Sequence, residues 1–158
     1  MQAKIGSSVE EVLDIFGRDV EINTYRPDLY ATSYEFQKAG VKISVTILPD
    51  RASKIDVAYA KRPAEEIAVL LQRYSGIGGW RRASTGDAGF ARHFPLFDPT
   101  RADYFVAEGV VAMIQKDVGF GELVLWIQTE QYPNLLQGYR SKQKKRSTQN
   151  TRDSQGCA

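Results

Sequence analysis

At 158 residues, 42% hydrophobic and 25% charged, the chain has room for one ordinary domain with its own core, which excludes the collagen-like, disordered and disulfide-stapled classes. No apolar run approaches the roughly 20 residues that cross a bilayer as a helix, and a net charge of +2 is not that of a polycation built for nucleic acid. One histidine and one cysteine leave almost no material for transition-metal or triad chemistry, so no catalytic residue, metal or cofactor is expected.

Taken in chain order, the first element is a helix. Ser7 or Ser8 serves as N-cap with Glu10 or Glu11 three residues on, a capping box. Val9, Val12, Leu13 and Phe16 then fall at i, i+3, i+4 and i+7, and Gly17 supplies a left-handed stop. A weak strand at 19–23 is followed by TSYEFQK (32–38) and VKISVTIL (41–48) around Ala39-Gly40, with Val41, Ile43, Val45 and Ile47 alternating strictly. After the turn residues 49–53, Ile55, Val57 and Tyr59 share one face, so a meander with one buried face is expected.

The second half restarts in the same order. Pro63 suits a first helical position, and Ile67, Leu70, Leu71 and Tyr74 repeat the stripe before Gly76, each 58 positions after its counterpart in the first helix. Strands are expected at 80–84, 89–94, 103–108, 110–116 and 122–130. Val110 and Ile114 sit 69 after Val41 and Val45, and Leu123, Leu125 and Ile127 sit 68 after Ile55, Val57 and Tyr59. The extra positions fit in the glycine-rich loop at 76–79 and in FPLFDPTR at 94–101. The expectation is an α+β fold, two helices packed on antiparallel sheet, as a tandem repeat of a helix plus three or four strands with units 5–61 and 62–131.

The opening GSSVEEVLDIFG, then YEF, a Gly-centred hairpin, VKISVTIL, a turn and IDVAYAK resemble the helix-plus-meander unit of the SmpA/OmlA and β-lactamase-inhibitor-protein-like fold. The chain over 5–131 is also similar to uncharacterised, usually exported, bacterial proteins of that layout. The resemblance implies a non-catalytic binding module of the bacterial envelope. It carries over no functional residue, and the chain lacks the family's lipobox cysteine and disulfides.

Each candidate site has a plainer structural role. His93, with a nearby Asp or Glu, could serve a small hydrolase or transferase as general base, and alternation with Phe90, Arg92 and Phe94 sets it on one face of a strand. Residues 75–79 follow a helix and lack GK[ST], so they form a helix stop rather than a phosphate loop. Glu10, Glu11, Glu65 and Glu66 lie in first helical turns, where negative charge offsets the helix dipole. The binding signal is aromatic. With Leu123, Leu125 and Ile127 in the core, Trp126 falls on the second sheet face and wants a partner, and Trp80 with Arg81 and Arg82 offers a second anchor set.

Charge divides the chain. Residues 1–137 carry 15 basic and 18 acidic side chains, and 138–158 carry 6 basic and 1 acidic. The second stretch has no aliphatic side chain larger than alanine and includes the lone Cys157, so it reads as a disordered basic tail on a single domain of 1–137. Such a tail could contact phosphates or an anionic surface, which is the alternative to a module that binds a protein or a second copy of itself. MQAKIGSSVEE has no apolar h-region, giving a cytoplasmic reading as the chain stands and a periplasmic or secreted one if a signal peptide precedes it.

Overall fold

Strict alternation in one strand and unbroken apolar sequence in another decide how the layers of this molecule are built. The computed structural model describes residues 4–16, 21–25, 31–48, 50–119 and 121–138. Apart from Gly138, the basic tail lies outside the described residues, and so does Cys157. The elements are α1 (Val9–Phe16), β1 (Glu21–Tyr25), β2 (Ala31–Lys38), β3 (Val41–Ile47), β4 (Ala52–Tyr59), α2 (Ile67–Ser75), β5 (Arg81–Ala83), α3 (Ala88–His93), β6 (Asp103–Ala107), β7 (Val110–Val118) and β8 (Gly121–Thr129). A short helix, α4, follows at 132–138.

All eight strands form one antiparallel sheet in the order β1-β2-β3-β4-β8-β7-β6-β5. Two four-stranded meanders therefore meet through their last strands, with Val57 opposite Leu125 at the seam. Gly121 begins β8 because a Cβ there would collide with the Tyr59 carbonyl oxygen. Val45 faces Ile55 as Ile114 faces Leu125, offsets of 69 and 70. The second offset is one side-chain repeat on from the 68 expected for these strands.

One sheet face carries the main core. Val12 of α1 and Leu70, Leu71 and Tyr74 of α2 pack on Val45, Ile55, Val57, Ile114, Leu125 and Ile127. The capping box forms as expected: Ser8 Oγ accepts from Glu11 N at 3.2 Å and Glu11 Oε1 accepts from Ser8 N at 3.4 Å. Gly76 closes α2 in the left-handed region at φ 73°. Pro63, however, does not begin that helix. The N-cap is Glu66, and Glu65 precedes the helix and pairs with Arg73 at 3.1 Å, so only α1 carries acidic residues in its first turn.

The largest departure from expectation is at 88–93. This segment is a helix rather than a strand, because Asp87 caps it by accepting from Gly89 N at 3.0 Å. Phe90 and Phe94, read as strand alternation, are also one helical turn apart. Both enter a second core with Ala102, Tyr104, Val111 and Met113 on the sheet face opposite α1 and α2. The first meander is buried mainly on one side, although Ser33 and Thr46 on its outer face are buried too. In β7 five consecutive residues, Val110 to Ile114, are buried, because both faces of that strand are covered.

Candidate functional site

On the face away from α1 and α2, one row of opposed residues crosses seven of the strands. From β2 to β5 it reads Glu35, Ser44, Asp56, Trp126, Met113, Tyr104 and Ala83. Directly opposed residues of an antiparallel sheet project to the same side, so the row changes from polar to apolar at the Asp56–Trp126 pair. Beyond that pair the apolar half lies under α3 and the loop after it, with Phe97 stacked 5.1 Å from the Trp126 ring. On the near side lies an open groove of about 400 Å³ lined by Glu35, Lys42, Ser44, Asp56, Ala58, Val124 and Trp126.

The groove floor is paired loosely. Ser33 and Ser44 share a hydroxyl hydrogen bond of 2.9 Å, Lys42 stands 3.9 Å from Glu35, and Lys54 stands 3.5 Å from Asp56 Oδ2. The other Asp56 oxygen, Oδ1, is buried with no hydrogen-bond partner, although the side chain as a whole is 26% exposed. Burial raises the Asp56 carboxyl above its ordinary range, and Lys54 offsets only part of that. A buried acceptor left without a partner costs about 1–3 kcal/mol, so this oxygen is the least satisfied polar atom of the groove floor among the described residues.

Trp126 lies on the sheet face that alternation gave it, but it is partly buried there against Phe97 and the second core, and only its remaining surface lines the groove. Trp80 does not join it. Its Nε1 donates to Ser75 Oγ at 3.1 Å, and the ring packs into the core of the α1 and α2 face. Arg82 is exposed and pairs with Asp103 at 2.6 Å, and Arg81 is exposed on the edge strand. The aromatic and basic set expected to act together is therefore split between two sheet faces. Strand parity was the available signal, since 80 and 82 share a side and 81 takes the other.

His93 ends α3 instead of lying in a strand. Its Nδ1 pairs with the amide of buried Gln128 at 3.0 Å, and burial pushes the imidazole below its ordinary value, partly offset by that contact. An amide partner does not stabilise an imidazolium as a carboxylate does, so the geometry gives no support to general-base work here. Beside it α4 sets Tyr132 5.9 Å from Lys54 Nζ and Asn134 against Arg92 at 2.5 Å.

Among the described residues no helix is long and apolar enough to cross a membrane. No family model matches the sequence, and no curated protein matches it either. Among solved structures the chain aligns with a cysteine-rich secretory protein from Staphylococcus aureus subsp. aureus Mu50 at a TM-score of 0.46 and 9% identity. The alignment covers 79% of this chain and 44% of that one, so the chain spans less than half of that protein. A likeness this slight carries no argument about function.

Proposed function

We propose that the protein is a non-enzymatic binding module that takes a protein partner on the open face of its first meander. The observation that supports this best is the boundary at Asp56 and Trp126. One half of the sheet face lies under α3, and the other half, where Ser33 and Thr46 are buried, keeps an open groove with an indole at its edge and a carboxylate oxygen that has no hydrogen-bond partner.

The architecture fits two copies of a helix-plus-four-strand unit joined through β4 and β8, with the offset growing from 58 between the helices to 69 between β3 and β7. On this reading the added residues of the second copy include α3, which covers the face that the first copy leaves open. A tandem unit of this kind agrees with the inhibitor-protein-like resemblance and, through it, with a role in the bacterial envelope.

A photo-reactive residue placed at Ser44, and in a second variant at Val69 on the exposed surface of α2, tests the surface in the source organism. One discrete crosslinked partner from Ser44 and none from Val69 is the expected outcome. Trp126→Ala should then weaken the complex by about 2 kcal/mol. Crosslinking from Val69 alone, or equal binding by the Trp126 variant, refutes the assignment.

A further inference from the structure

We infer that the cleft between the end of α3 and α4 takes an acidic segment of a protein partner, with an apolar side chain seated in the cleft and carboxylates facing Arg92 and the basic stretch that follows α4 in the sequence. The cleft is separate from the open face of the first meander, and the inference holds whether or not that face binds.

The cleft has a volume of about 420 Å³, with Arg92, His93 and Pro95 on one wall and Tyr132, Pro133 and Leu136 on the other. The two prolines and Leu136 make it apolar. Leu96, next to Pro95, is 94% exposed and adds apolar surface beside it. An isolated exposed leucine is ordinary, but one that extends an apolar cleft marks a surface that a partner covers.

Charge then selects the partner. No carboxylate lines this cleft, whereas the groove at Asp56 has two and the one beside Arg82 contains Asp103. Arg92 donates to the neutral amide oxygen of Asn134 at 2.5 Å, which holds the guanidinium at the cleft without cancelling its charge. His93 is tied through Nδ1 to Gln128, and Glu130, the weakest of the influences on the imidazole, does not line the cleft.

More positive charge follows directly. Gln137 lines the cleft, Gly138 is the last described residue, and residues 138–158 carry 6 basic and 1 acidic side chains, beginning with Arg140. That stretch is not itself a suitable occupant, because it has no aliphatic side chain larger than alanine and carries the same sign of charge as Arg92. An acidic segment with one apolar residue meets both requirements. Its apolar side chain leaves water, and its carboxylates meet a guanidinium fork and a run of cations of complementary sign.

The chain has one histidine, so the His93 imidazole is an unambiguous NMR reporter of the cleft. The untagged full chain is titrated with three blocked peptides: one leucine between two pairs of glutamates, the same peptide with glycine for the leucine, and the same peptide with glutamines for the glutamates. The first should shift the His93 imidazole and the Leu136 amide saturably and bind at least about ten-fold more tightly than either control. Its advantage over the glutamine peptide should shrink as salt rises. Arg92→Gln should reduce the preference for glutamate, and Leu136→Ala the preference for leucine. Replacing Lys144, Lys145 and Arg146 together by glutamine should also reduce the glutamate preference, which keeps the test valid if either cleft variant misfolds.

Equal binding of the three peptides, no response at His93, or unchanged preferences in all three variants would overturn the inference. So would tighter binding of a short single-stranded thymidine oligonucleotide at the same signals, which would make the cleft a nucleic-acid site.

Discussion

Asp56→Asn keeps the shape of the side chain and removes its charge, so it isolates what the buried carboxylate costs the fold. Burial raises the folded-state pKa above the unfolded value, against a weaker opposing pull from Lys54. Between those two values the native state holds more protons than the unfolded chain, so stability falls as pH rises through that window and stays lower above it. The groups facing Asp56 are Lys54 on its own strand, Ser44 and Lys42 on β3, Glu35 on β2 and Trp126 on β8. At neutral pH the variant escapes the cost of burying an ionised carboxylate, of order 1–3 kcal/mol, keeps Oδ1 as an acceptor, and loses an ion pair worth about 0–1 kcal/mol. A net gain between about 0 and 3 kcal/mol follows. In thermal unfolding this is about 2–4 °C per kcal/mol for a chain of this size.

Urea unfolding of parent and variant from about pH 3, where the carboxyl is neutral in both states, up to pH 7.5 reads the effect directly. The gap should be near zero at the acid end, open through the window and then level off. A parent more stable than the variant at neutral pH, or a gap independent of pH, would falsify the account of Asp56 as a destabilised acceptor.

Two further outcomes concern the core. Leu70 is fully buried, and its neighbour Val69 is 49% exposed on the same helix. Leu70→Ala should therefore cost about 2–5 kcal/mol, and Val69→Ala should stay within about 0.5 kcal/mol; similar values for the two in chemical denaturation would refute the facing of α2. Tyr59 and Tyr74 share a buried hydroxyl hydrogen bond of 2.6 Å. Tyr59→Phe strands the Tyr74 hydroxyl at a cost of about 1–3 kcal/mol, and the double change to Phe should recover most of it. Additive losses in that cycle would show that the two hydroxyls do not depend on each other.

Periodicity determined which residues meet the helices. The stripe of Val12 and Leu13, the stripe of Leu70, Leu71 and Tyr74, and the alternation of Val45, Ile55 and Val57 are all local patterns, and each is in the main core or packed against it. The unbroken run Val110 to Ile114 already carried the sign of a strand covered on both sides, against the strict alternation of β3, but what covers it is non-local. A helix at 88–93 and a strand at 89–94 place Phe90 and Phe94 equally well. Asp87 capping Gly89 and the packing on Tyr104 decide for the helix.

Asp56 shows the limit of local reading most plainly. In the sequence it is one polar residue among several on the outward side of a strand, indistinguishable from a solvated position. Its oxygen is closed off only because β4 becomes a central strand, with Ser44 on one side and Trp126, from 70 residues further along the chain, on the other. The two tryptophans were legible as anchors by residue type. Alternation assigns Trp126 its face, but that the other tryptophan packs against the α1 and α2 core and that α3 covers the opposite face are decided by the tertiary structure.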